Sequence, residues 1–167
     1  MHYAVGDKVV HPYHGPGRIA SIERREFMEE PKQYYVIEIP AQGLTLHIPR
    51  RQVDTIGVRP AMPREQLRRV LEILRSTPEH LPEDYKERQE EIGEKLKTGQ
   101  PLQIAEAVRD LTWHQRDSHL TKKDTDYLDR GRKLLAAEMA LVSDTEVDEA
   151  RRQIEATLNA ALDTAAN

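Results

Sequence analysis

Near Arg59-Pro60 the chain changes its period, and that change calls for two modules of different kind. Before it, β-branched and aromatic residues fall in short runs, Lys8 to His11, Arg18 to Arg24, Gln33 to Ile39 and Leu44 to Pro49. Turn chemistry separates them at Gly15-Pro16-Gly17, Pro40 and Gln42-Gly43. The opening segment, Tyr3 to Ala20, reads as strand, tight turn and strand, with Val5, Val9 and Ile19 as its β-branched residues. Five short strands of this type predict a small curled barrel over residues 1–59.

After Pro60 the spacing becomes helical. Leu67, Val70, Leu71 and Leu74 form one stripe behind Pro63, a residue suited to a first helical turn. A second helix is expected from about Pro82 to Lys97, stopping at Gly99, and a third from Gln100 to about Asp117 with Ile104, Val108 and Leu111 on one face. Thr121, with Asp124 three residues on, predicts the N-cap of a fourth helix striped by Leu128, Gly131, Leu134, Leu135, Glu138 and Val142. Ser143-Asp144 is expected to cap a fifth, with Val147, Ile154, Leu158, Ala161 and Leu162 inward. The fold class is therefore α+β: an SH3-like or Tudor-like barrel at 1–59, followed by an all-α domain of about five helices at 60–167.

Composition narrows the functions. The chain of 167 residues has no cysteine, which excludes disulfides, thiolate zinc sites and a cysteine nucleophile. No window resembles a signal or spanning segment, since the apolar stretch Leu134 to Val142 contains Glu138 and borders Lys133. The expected location is the cytoplasm, with no membrane partner. A formal net charge of −4 argues against holding nucleic acid by bulk positive charge. Residues 1–59 carry 8 Lys/Arg against 7 Asp/Glu, and residues 60–167 carry 17 against 22, so the helical part is the acidic one. Its short basic pairs are interleaved with acids, as on a solvated helix face.

Catalysis has little support. His11-Pro-Tyr-His14 offers two imidazoles beside a turn without a third ligand nearby, and no HExxH or phosphate-cradling glycine loop exists. A metal-dependent enzyme built on His11 and His14 stands against the simpler reading that both rings pack on a hairpin. Glu138 is the one carboxylate on an apolar stripe. No enzyme activity, metal, cofactor or small-molecule substrate is expected.

The elements Val5-Gly-Asp-Lys-Val-Val-His-Pro-Tyr-His-Gly15, Tyr34-Tyr-Val-Ile-Glu-Ile39, Leu44-Thr-Leu-His-Ile-Pro49 and Gly57-Val-Arg59 resemble the amino-terminal module of the CarD/CdnL family of bacterial transcription regulators. That barrel is shared with the polymerase-interacting module of the transcription-repair coupling factor. The similarity continues through Val70, Leu74-Arg75, Glu94-Lys-Leu96, Gly99, Ala105-Glu106, Val108-Arg-Asp-Leu111, Leu120, Leu128 and Glu138, nearly the whole chain.

The resemblance implies an adaptor whose barrel docks on the RNA polymerase β subunit and whose helical domain reaches promoter DNA at the upstream edge of the bubble. Docking would use the strand Leu44, Thr45, Leu46, His47, Ile48 and Pro49 edge to edge with a partner strand. It would also use Arg25 and His47, where His47 replaces the family's usual arginine and is at most partly charged near neutrality. The implied DNA contacts are Tyr85, at the position of the family's tryptophan wedge, with Lys86 and Arg88 on phosphates. Glu87 and Glu90 stand where family members often carry basic residues, and Pro82 to Lys97 holds 4 Lys/Arg against 6 Asp/Glu. Free DNA affinity is accordingly expected to be very low.

Two aromatic residues stay open at this level. Tyr85 lies seven residues before Ile92 and eleven before Leu96, so it either packs on their stripe or contacts DNA. Trp113 lies half a turn away from the Ile104 stripe, where a later helix covers it or a partner does. The alternative function is a polymerase-binding interaction factor without productive DNA contact.

Overall fold

A computed structural model describes residues 1–27 and 30–166, with 27, 30 and 31 given by backbone alone. The chain divides into two compact units, Met1–Ala61 and Met62–Asn167.

The first unit is one antiparallel sheet of five strands, β1 (Lys8–His11), β2 (Gly15–Phe27), β3 (Glu30–Ile39), β4 (Leu44–Pro49) and β5 (Arg59–Pro60), in the order β4-β3-β2-β1-β5. Period-two alternation sends Tyr35, Ile37 and Ile39 of β3 into the core, where they meet Val9, Ile19 and Ile48 from neighbouring strands. Tyr3 closes this core: its ring meets Tyr35 edge-on at 5.7 Å, and its backbone N–H donates to the Tyr35 hydroxyl at 3.0 Å.

Two expectations are corrected here. The sheet is open rather than a closed barrel, with β4 and β5 as its edges. Each edge strand carries a proline, Pro49 and Pro60, that lacks the N–H a closing ladder would use, and β5 is only two residues long. Val5 is not a strand residue; it is 63% exposed in the turn before β1. There the Asp7 carboxylate accepts from the Ala4 N–H at 2.8 Å, and Gly6 takes φ 92°.

β2 and β3 also run further than their apolar pattern, pairing as far as Phe27 and Glu30. Glu23, Arg24, Arg25 and Glu26 have no alternation to signal a strand, and main-chain pairing alone carries the ribbon outward.

Six α-helices occur among the described residues, five of them in the second unit, the number expected there. The additional one is a single turn, α1 (Val53–Ile56), inside the first unit, where Val53 fills the core and Gly57 closes the turn at φ 98°. The second unit holds α2 (Gln66–Arg75), α3 (Tyr85–Lys97), α4 (Pro101–Asp117), α5 (Lys122–Ser143) and α6 (Val147–Ala166).

α4 packs against all four of the others. Gly131 of α5 permits the α4 contact, because a Cβ there would lie 2.8 Å from Val108 Cγ2. Thr121 caps α5 in a reciprocal capping box with Asp124, as expected. Asp144, however, ends α5 in the left-handed conformation at φ 56° instead of starting α6, a role that suits its short polar side chain. α3 begins at Tyr85 rather than Pro82, because Asp84 remains extended and its carboxylate accepts from the Lys86 N–H at 3.3 Å.

Candidate functional site

β4 is an edge of the sheet and has no strand on its outer side among the described residues. Thr45 and His47 are exposed on one face, while Leu46 is half-buried and Ile48 buried on the other; Leu44, at the open end, is 37% exposed. Pro49 ends the edge.

Arg25 and His47, assigned from sequence to one surface, are brought together. Arg25 NH2 lies 3.1 Å from His47 Nε2. A guanidinium only donates, so in this contact His47 Nε2 is the acceptor. Glu23 holds the other side of Arg25, with its carboxylate 3.1 Å from Nε and 3.0 Å from NH2. This surface pair, 43% and 41% exposed, contributes little stability, so its consequence is the orientation of the guanidinium toward β4. Glu23 was missed in the sequence reading. The signal for it was its position two residues from Arg25 in one strand, which puts both on the same face.

At the Pro49 end of β4 lies a cavity of about 600 Å³ bordered by Lys32, Arg50 and Arg51, with no carboxylate among its described lining residues. Arg50 is fixed by Gln33 Oε1 at 2.8 Å and His2 Nδ1 at 2.8 Å, and its guanidinium lies 5.8 Å from the Tyr35 ring centre. This end of the edge is therefore electropositive.

In the helical unit Tyr85 is the first residue of α3 and 51% exposed, and Lys86 beside it is exposed with Nζ 6.0 Å from the ring centre. Tyr85 is therefore not a core residue.

Arg88 requires a correction. It is 3% exposed and grips Asp124 with two bonds, Nε to Oδ1 at 3.2 Å and NH2 to Oδ2 at 2.7 Å, while NH1 donates to the Pro82 and Glu83 carbonyls at 3.1 Å each. A guanidinium so enclosed cannot reach a phosphate. It instead ties the chain just ahead of Tyr85 to α5 and so sets where α3 starts.

Burial alone would raise the Asp124 carboxyl. The Arg88 and Thr121 hydrogen bonds and the Arg88 charge outweigh it and hold the group below its ordinary 3.8. Arg88 is shifted upward, first by its bond to Asp124.

Other singled-out residues are placed as follows. His11 Nδ1 accepts from the backbone N–H of Tyr13 and of His14, both at 3.0 Å, so this imidazole braces the β1–β2 turn. Burial first, and then the neighbouring His14, push its pKa below 6.5. Glu138 is 3% exposed and accepts from the Met62 N–H at 2.8 Å, giving a buried main-chain donor its partner. Trp113 is partly buried on α4 and borders a cavity with the segment between α2 and α3, with Arg116 5.3 Å from its ring centre. Arg109 and Asp110 of α4 are buried despite their charge, and Arg109 Nη1 donates to Ser76 Oγ at 2.8 Å. No helix among the described residues is long and apolar enough to cross a membrane.

Residues 3–62 match the family described as CarD-like/TRCF RID domain, and residues 69–155 match CarD, C-terminal domain. The chain is also similar to a Bacillus subtilis (strain 168) protein named "Putative transcription factor YdeB", with 31% identity over 140 residues, covering 84% of this chain and 92% of that one. An open antiparallel sheet with a free edge, followed by a five-helix unit and carrying these matches, defines a transcription-associated factor. The chain belongs to the CarD/CdnL family.

Proposed function

We propose that this protein is a non-enzymatic, cytoplasmic regulator of transcription initiation. It docks on the RNA polymerase β subunit through its sheet and acts on open-complex stability through its helical unit. The observation that carries this reading is the free β4 edge with Arg25 and His47 held together beside it. An exposed edge adds a partner strand through main-chain hydrogen bonds, and the oriented guanidinium suits a carboxylate on that partner. The positive cavity at the Pro49 end favours an acidic docking surface.

Titration of the intact protein against the isolated β-subunit lobe tests this directly. Saturable binding is expected, with Arg25→Glu weakening it by at least about thirtyfold, the loss of a charge-assisted contact plus the introduced repulsion. Absence of binding by the unaltered protein would end the proposal.

On the DNA side, Tyr85 and Lys86 at the start of α3 form the contact, stacking on or wedging beside an unstacked base step and touching backbone without reading sequence. Tethering by polymerase supplies the local concentration that so weak a surface requires. The second reading, occupancy of polymerase without productive DNA contact, is favoured by one observation: the burial of Arg88 removes a cation from an already acidic segment. Tyr85→Ala separates the two. Because Tyr85 is exposed, the variant is expected to fold and bind polymerase normally while the promoter bubble's lifetime changes severalfold; an unaltered lifetime selects the second reading.

A further inference from the structure

Arg25 has one edge left for a partner, and His47 holds half of it. Glu23 takes the Nε–Nη2 side of the guanidinium, its Oε2 lying 3.1 Å from Nε and 3.0 Å from Nη2. The other Nη2 hydrogen is directed to His47 Nε2 at 3.1 Å, and Nη1 has no partner among the described residues. A guanidinium pairs most strongly with a carboxylate through two parallel N–H groups. On Arg25 the pair still open is Nη1 with Nη2, so a carboxylate seated there displaces His47 from Nη2.

In the free protein His47 Nε2 offers Arg25 a lone pair and therefore carries no proton. Next to a carboxylate the demand is reversed, and that nitrogen is favoured as a donor. Histidine can meet it at physiological pH, because its charge changes between about pH 5 and pH 8. Moving the ring proton to Nε2 would also make a donor, but the negative charge of the carboxylate favours the imidazolium over the neutral ring.

The fixed charges around the ring are of mixed sign. β3, the strand that β4 pairs with, presents Lys32, Tyr34 and Glu38 on the face of His47, and β2 behind it presents Arg18, Glu23 and Arg25. Arg50 and Arg51 follow Pro49 beyond the end of the strand. Of these, only Arg25 bonds the ring among the described residues, so an arriving carboxylate changes the balance at His47 by displacing that one contact.

We propose that docking of the β4 edge is coupled to protonation of His47: a partner carboxylate takes the Nη1–Nη2 edge of Arg25, and the released imidazole takes a proton from solvent and donates it in a hydrogen bond to that carboxylate. The coupling rests on the docking proposed above for this edge. The docked state then holds more protons than the free one, so binding tightens as the pH falls.

Titration of the intact protein against the isolated β-subunit lobe, repeated at about pH 8 and about pH 6, is expected to give about three- to tenfold tighter binding at the lower pH. Calorimetry at about pH 7, in two buffers that differ in ionisation enthalpy, should register proton uptake on binding. His47→Gln keeps an acceptor for Arg25 but cannot titrate, and should flatten the pH dependence to less than about twofold. His47→Arg is charged at both pH values; it should bind more tightly than the unaltered protein at about pH 8 and show the same flat dependence. The other histidines and the partner's own groups are common to all three proteins, so what the substitutions remove belongs to His47.

The two ways of failing are distinct. No binding by the unaltered protein at either pH ends the docking itself, and the coupling with it. Binding that does not tighten on acidification, as a neutral tautomer shift would give, or that tightens equally in His47→Gln, overturns the coupling and leaves the docking standing.

Discussion

Replacing Arg88 with methionine is expected to destabilise the helical unit by about 3–5 kcal/mol, the cost of leaving one member of a buried ion pair without the other. Asp124 is 0% exposed, and without Arg88 it keeps only the Thr121 bonds of its capping box. The carbonyls of Pro82 and Glu83 lose their donor in the same step. Denaturant unfolding followed by Trp113 emission measures the loss, and three further results distinguish this cause from simple loss of packing.

First, the deficit should shrink on acidification, because a buried Asp124 without its cation gains by taking up a proton. Second, in the unaltered protein the sign is opposite. The folded carboxyl sits below 3.8, so the pair's contribution is fully present above that pH and is lost as the pH falls through the folded value. Third, the double variant Arg88→Met/Asp124→Leu should be more stable than Arg88→Met, since it removes the stranded charge and forfeits only a cap worth about 1 kcal/mol. An Arg88→Met variant as stable as the parent at neutral pH would show that the bidentate bond carries no weight.

Gly17→Ala should break the sheet unit. Gly17 lies in β2 opposite Val9 of β1, and a Cβ there would fall 2.4 Å from the Glu38 carbonyl oxygen and 3.0 Å from Ile39 Cγ1. The obstacle is main chain, and Glu38 is paired on both sides, with Arg18 of β2 and Thr45 of β4, so it cannot retreat without shifting the edge. Overpacking usually costs 1–3 kcal/mol; against fixed backbone we expect about 3 kcal/mol or more. Loss of the near-ultraviolet ellipticity of the packed Tyr3–Tyr35 pair, together with loss of β-subunit binding, is the expected signature. A variant with parental stability would mean that β3 has room to move.

How far the fold could be read from sequence varied with the kind of signal. Strand positions in β3 and β4 followed from alternation, and the start of α5 from Thr121 and Asp124, because both signals are local. The extension of β2 and β3 to Phe27 and Glu30 left no such trace, since ladder pairing needs no particular side chains. α4 misled in a specific way. A helix packed on four others buries polar residues too, so Arg109, Asp110 and His114 became interior residues.

The candidate sites divide along the same line. The family resemblance pointed to Arg25, His47, Tyr85 and Lys86, and all four are at the surface. It pointed equally to Arg88, whose fate depends on an aspartate 36 residues away.

By itself, then, the sequence determined the change from strand to helix near residue 60, the absence of cysteine chemistry, the acidic helical half and the family. These depend on residue identity and near-neighbour spacing. Only the tertiary structure decided that the sheet stays open and that Arg88 is a buried brace and not a phosphate contact. The reason is physical: edge pairing, burial of a charge and satisfaction of a polar atom are set by groups far apart in the chain, and no local pattern records which distant partner will arrive.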